Sequence, residues 1–189
     1  CSLKADGNSC YTPDKAIEVG KLMQEYHIKQ FEEPCPYWEL EWTAEVAAAL
    51  DLEISGGEQD NDLAQWRRMI NMKAVDIVQP DILYVGGFTR ALRVALMANE
   101  KGMPCIAPSA NHCLVTIFTL HLMRSISNPG NSIEYSIEFD EGINKIAKDL
   151  FSPNPEIQDG NLNMSPEPGW GVTINEEWLK SADYMLSEA

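Results

Sequence analysis

Asp6, Glu32 and Glu58 are carboxylates spaced at equal intervals, each where a short apolar run gives way to a polar turn. Asp81 and Glu134 continue the series, and Pro108 stands between them. The successive intervals are 26, 26, 23, 27 and 26 residues. Several anions gathered at one place are costly unless a cation neutralises them. Hard divalent cations prefer oxygen ligands, and Mg²⁺ keeps coordination positions open for water and substrate. Three carboxylates from neighbouring turns would suit one such ion. The same acids could instead be solvated loop residues favoured by helix N-terminal dipoles. Their recurrence at one spacing favours the metal reading.

That spacing is the length of a strand, a crossover helix and two short loops. Strands are expected over residues 2–6, 28–32, 53–57, 74–78, 104–107 and 132–138. Between them, Thr12-Pro13-Asp14 opens a helix, with proline at an early position and apolar residues at Ala16, Val19, Met23 and Tyr26. Further helices are expected over 42–50, 62–71, 89–101 and 114–125. Six such units predict a parallel α/β architecture, either an open doubly wound sheet or a (β/α)₈ TIM barrel. No Gly-x-Gly-x-x-Gly turn follows the first strand, which weakens the nucleotide-binding open sheet. In the barrel, the C-terminal strand ends share one face, and that face holds the active site. Residues 1–150 are read as the barrel portion. Residues 151–189, rich in Pro, Gly and Asn, are read as a strap folding back over it. Asp159-Gly160 between two short extended runs predicts a hairpin there, and 178–186 a closing helix.

Bulk composition narrows the class. The chain has 189 residues, 44% hydrophobic and 23% charged, as in ordinary globular domains. Its net charge of −15, from 29 acids and 14 bases, opposes nucleic acid and anionic membrane partners. No apolar run reaches the length of a membrane span. The five cysteines form no C-x-x-C pair and read as reduced thiols in or near the core, which suits a cytoplasmic protein. The sequence opens at Cys1 in mid-pattern, so a piece of a longer protein is expected.

The strings Ala5-Asp6-Gly7-Asn8, Phe31-Glu32-Glu33-Pro34, Gly57-Glu58 and Gln79-Pro80-Asp81, followed by Gly86-Gly87, resemble the mandelate racemase/muconate lactonizing branch of the enolase superfamily. The resemblance runs from Ser2 to about Val172 and implies barrel strands three to eight. It also implies that Asp6, Glu32 and Glu58 hold one Mg²⁺, with Glu32 chosen over Glu33 and Asn8 as a polar support. Asp81 matches an acid that partners a catalytic histidine in the racemase and dehydratase groups. The muconate-lactonizing group carries lysine there. Glu134 matches a carboxyl that hydrogen-bonds the substrate carboxylate. The implied substrate is a small carboxylate or sugar acid, and the implied reaction starts by abstracting its α-proton. Dehydration or racemisation/epimerisation then follows. A homo-oligomer is also implied, as are an N-terminal capping domain and two earlier strands, from the same or a separate polypeptide.

One position departs from this pattern. The seventh-strand histidine falls at Pro108, which cannot take a proton. His112, four residues on, is the nearest imidazole and the candidate base. His121 is read as a packed core residue, His27 as remote, and Lys4 as a buried or ion-paired lysine sharing the Asp6 face. The competing expectations are a homologue that binds metal without turnover and a barrel serving only as a scaffold.

Overall fold

A computed structural model describes residues 2–109, 113–136, 149–181, 183 and 185. Thr12 in extended conformation followed by proline at the first turn starts α1 (Pro13–Glu25) after the short strand β1 (Lys4–Asp6). The alternation continues through β2 (Gln30–Glu32), α2 (Leu40–Ala49), β3 (Glu53–Gly56), α3 (Leu63–Met72), β4 (Ile77–Val78) and α4 (Phe88–Asn99). The Asp62 carboxylate accepts from the Ala64 amide and caps α3, while left-handed Lys73 ends it.

All four strands pair in parallel, in the order β1-β2-β3-β4. Ala5, Phe31 and Ile54 form one rung, flanked by the rungs Lys4–Gln30–Glu53 and Asp6–Glu32–Ser55. Paired residues in parallel strands point to the same face and successive residues alternate. Phe31, Ile54 and Val78 are therefore turned to one side, where they are fully buried with Val46 of α2, Trp66 of α3 and Val94 of α4. Each such side chain contributes roughly 1.5–3 kcal/mol of burial. The other face is polar: Gln30 Nε2 donates to Ser55 Oγ at 2.7 Å, both residues being buried.

Beyond β4 the sheet thins to single rungs. Val78 pairs with Cys105 and Cys105 with Pro129, both in parallel. The expected strand over 104–107 shrinks to this bridge. Pro104 and Pro129 have no N–H to donate, which limits how far a ladder can extend. The expected strand over 132–138 is not formed across residues 132–136, and 137–138 lie outside the described residues. Its rung falls earlier, where the Cys105 amide donates to Asn128 and the Gly130 amide to Cys105. The alternation at Ile133 and Tyr135 resembles a strand, but neither residue lies in one.

The contacts divide the chain into two compact units. The sheet and its helices form the first, with residues 1–108 and 122–134. The second comprises Ser109–His121 and Tyr135–Ala189. Helix α5 (Leu114–Ser125) agrees with its expected bounds and contributes to both. In the second unit β5 (Phe151–Ser152) pairs antiparallel with β8 (Thr173–Ile174), and β6 (Ile157–Gln158) with β7 (Asn161–Leu162). Asp159 and Gly160, both at positive φ, make the hairpin turn expected of them. Helix α6 covers Glu176–Ser181, starting and ending earlier than expected. His121 is half-buried rather than in the core: its Nε2 lies 3.0 Å from the Trp170 carbonyl oxygen, with the two rings edge to face. No helix among the described residues is long and apolar enough to cross a membrane.

Among the described cysteines, Cys10, Cys35, Cys105 and Cys113 are free thiols. Burial, with help from Glu45, pushes Cys35 up to about 11, and burial alone pushes Cys105 up to about 12. The reactive thiolate is therefore scarce at both near neutral pH. Iodoacetamide labelling of the native full-length protein at neutral pH should spare Cys35 and Cys105 and modify both once denaturant is added. Ile54→Ala, which hollows the core beside fully buried Phe31, should cost about 2–5 kcal/mol in urea unfolding.

Candidate metal centre

Asp6 and Glu32 close adjacent strands on the same rung, so register alone brings their carboxylates to one face and one end of the sheet. Their partner on β3 is Ser55, not Glu58. Strand β3 stops at Gly56, and the chain turns through Gly57 at φ 106°, with the Asp60 amide donating to the Gly57 carbonyl at 2.9 Å. Glu58 thus stands on a loop two residues past the strand, and the equal sequence intervals conceal this offset. Trp66 of α3 supports that loop. Its ring is fully buried and Nε1 donates to the Asp60 carbonyl at 3.1 Å. A Cβ at Gly57 would lie 2.3 Å from the Trp66 ring, so position 57 needs glycine both for its φ and for this contact.

The loop after β1 is tied to β2. The Gly7 amide donates to Glu32 and the Ser9 amide to Glu33, each at 2.8 Å. Asn8 and Ser9 are both left-handed, which lets the Asn8 amide donate to Asp6 Oδ1 at 2.7 Å. The support expected of Asn8 thus reaches Asp6 through its backbone.

The carboxylates feel one another. Glu32 is raised above the ordinary range, first by burial, then by Asp6 and Glu134, against a lowering hydrogen bond from Gln79. Glu58 is pushed up to about 7 by burial and by Glu32, Glu33, Glu134 and Asp6. Glu33 also rises to about 7, from burial and then from Asp6 and Glu32. Asp60 rises to about 6, from burial and Asp62. Glu33 Oε1, Asp60 Oδ2 and Gln79 Oε1 are buried without a hydrogen-bond partner. Among the described residues, no three His, Cys, Asp or Glu side chains as placed stand close enough to hold a metal ion. The donor set nevertheless fits a hard divalent cation: every donor is oxygen, the charge is strongly negative, and burial together with neighbouring charge raises carboxyls that a cation would relieve.

The other expected site residues are placed differently. Asp81 Oδ1 accepts from the Leu83 and Tyr84 amides at 2.6 and 3.0 Å, and so caps the turn leading to Gly86 and Gly87. It is not among the charges acting on Glu32 or Glu58. Glu134 is exposed yet within electrostatic reach of both. Pro108 is buried three residues past the Cys105 bridge. His112 lies outside the described residues. Lys4 is exposed rather than buried, and Nζ donates to Ser132 Oγ at 2.7 Å instead of pairing with a carboxylate.

Three participants escape the spacing argument: Glu33, Asp60 and Gln79. Gln79 was legible in principle, because it lies two residues beyond Ile77, whose rung includes Ser55. Glu33 and Asp60 carry no periodic signal.

A parallel sheet flanked by crossover helices, with carboxylates gathered at its C-terminal end, is the architecture of a β/α-barrel portion. The chain belongs to the enolase C-terminal domain-like family, whose match covers residues 2–178. Its curated relatives include acid-sugar dehydratases and a cycloisomerase. One, the L-talarate/galactarate dehydratase of Salmonella typhimurium, is 31% identical over 175 residues, covering 93% of this chain and 40% of the relative. A solved Roseobacter denitrificans protein, provisionally described as a racemase, superposes with a TM-score of 0.93 at 52% identity, over 100% of this chain and 51% of that one. A mutant L-talarate/galactarate dehydratase liganded with Mg and L-glucarate superposes at 0.78 with 27% identity, over 95% and 42%. The chain spans less than half the length of the curated relatives it matches.

Gly57→Ala should cost roughly 1–3 kcal/mol for the disfavoured backbone alone, before the clash with Trp66. Thermal melting of the full-length protein should register that loss.

Proposed function

We propose that the full protein containing this chain is an Mg²⁺-dependent enzyme that removes the α-proton of a sugar acid or similar carboxylate, as a dehydratase or as a racemase/epimerase. The observation that carries this reading is that Asp6 and Glu32 close adjacent strands on one rung, with Glu58 and Glu134 within electrostatic reach of Glu32. The dehydratases and cycloisomerase among the relatives support it.

In this reading Asp6, Glu32 and Glu58 hold the ion. Bound Mg²⁺ would supply Lewis acidity, stabilising the negative charge that builds on the substrate carboxylate as the α-proton leaves. Gln79 holds Glu32 through its side-chain hydrogen bond. Glu134 faces the substrate carboxylate and can hydrogen-bond it only while carrying or sharing a proton. His112, oriented by Asp81, takes the α-proton. Protonation of the opposite face by a second acid inverts the centre, whereas transfer of the proton from His112 to a departing β-hydroxyl releases water and completes a dehydration. A positioned base contributes roughly 10²–10⁴-fold to such a step.

A second reading rests on Pro108. Proline at the seventh-strand position suits a homologue that keeps the metal site and lacks turnover.

Glu58→Gln in the full-length protein should weaken Mg²⁺ binding by more than about tenfold, the effect expected even of a residue that only supports a ligand. Unchanged affinity in calorimetric titration would remove the metal assignment. With a panel of sugar acids in D₂O, at least one should acquire deuterium at its α-carbon, and His112→Ala should abolish that exchange. No exchange with any acid favours the homologue without turnover. Exchange that survives His112→Ala assigns the base elsewhere.

A further inference from the structure

Glu33 makes an unusual set of contacts for a residue that ligates nothing in the proposed centre. It is 5% exposed and left-handed, with φ 38°. Its amide donates to the Ser55 carbonyl of β3 at 2.9 Å, and its carbonyl accepts from the Ser9 amide at 2.8 Å. Its side chain turns back to the same serine, where Oε2 accepts from Ser9 Oγ at 3.3 Å. Its Cγ lies 3.6 Å from where a Cβ on Gly56 would stand, so it also packs against the end of β3. One residue therefore touches the loop after β1 and the end of β3 while continuing β2. Those are the three segments that carry Asp6, Glu58 and Glu32.

The hold on Ser9 is two-pointed, through main chain and side chain. Ser9 and Asn8 are consecutive left-handed residues without glycine's freedom, so their turn must be held from outside. That turn is what aims the Asn8 amide at Asp6 Oδ1. The chain of contacts runs from Glu33 to Ser9, to Asn8, to Asp6. Burying a carboxyl with Oε1 unpartnered opposes folding, so stability alone does not explain an acid here.

We propose that Glu33 is a positioning residue that sets the affinity of the Asp6–Glu32–Glu58 centre for its cation by clamping Ser9, and that it is not itself a ligand. The inference rests on the metal assignment proposed above.

The test is calorimetric Mg²⁺ titration of the full-length protein, with thermal melting of each variant as a check on folding. Glu33→Leu and Ser9→Ala should each lower affinity on the order of tenfold or more, as removal of a group orienting a metal ligand does. The double variant should be no worse than the weaker single, because both break one contact. Glu33→Gln keeps an oxygen that can accept from Ser9 but removes a charge that acts on Glu58, so its loss should be smaller than that of Glu33→Leu. Ser9→Ala keeps the proposal testable if Glu33→Leu fails to fold. Parent affinity in Ser9→Ala or Glu33→Leu, with Glu58→Gln still losing binding, overturns the clamp alone. Parent affinity in all of them overturns the metal assignment and the clamp together. Loss in Glu33→Gln as large as in Glu58→Gln overturns the positioning role in favour of direct ligation.

Discussion

Carboxylates partly buried beside one another at one end of a parallel sheet are the constraint around which this site is arranged. Parallel pairing puts Asp6 beside Glu32 on one rung. The Gly57 turn returns Glu58 toward them, and Glu134 comes within electrostatic reach of both Glu32 and Glu58. Three of them are braced by neighbouring groups. The Asn8 amide takes Asp6 Oδ1, Gln79 takes Glu32, and the Trp66 indole braces the Glu58 loop. The sheet's apolar face pays for this crowding, with Phe31, Ile54 and Val78 fully buried beneath it.

Most of the scaffold was legible because its signals are periodic. Helices α2, α3, α4 and α5 fall within two residues of their expected bounds, set by apolar spacing and by the capping Asp62. The Asp159-Gly160 hairpin needed only turn chemistry. Strands read less well, because a strand exists only where a neighbour accepts its hydrogen bonds. Residues 104–107 and 132–136 have strand-like patterns, yet prolines at 104 and 129 confine pairing to Cys105 and its immediate partners.

The candidate centre was legible in part, and for a related reason. Counting intervals placed Asp6, Glu32, Glu58, Asp81 and Glu134 in one series, but it assumed equal rungs. Register shows that Glu58 is a loop residue. Glu33 and Asp60 were invisible to counting because their roles come from burial and from contacts across strands, whereas Gln79 follows Ile77 by strand alternation. Asp81 and Glu32 look alike as acids at strand ends, yet one caps a turn and the other faces the cluster. The family resemblance is the source of the proposed ion and reaction class, which geometry alone does not give.

The most direct test is a crystal structure of the full-length protein soaked with Mn²⁺, located by its anomalous scattering. The account predicts one ion with carboxylate oxygens of Asp6, Glu32 and Glu58 within roughly 2.0–2.3 Å, and the Glu33 carboxyl turned away toward Ser9. An ion bound elsewhere, or one that takes Glu33 in place of any of the three, would contradict it.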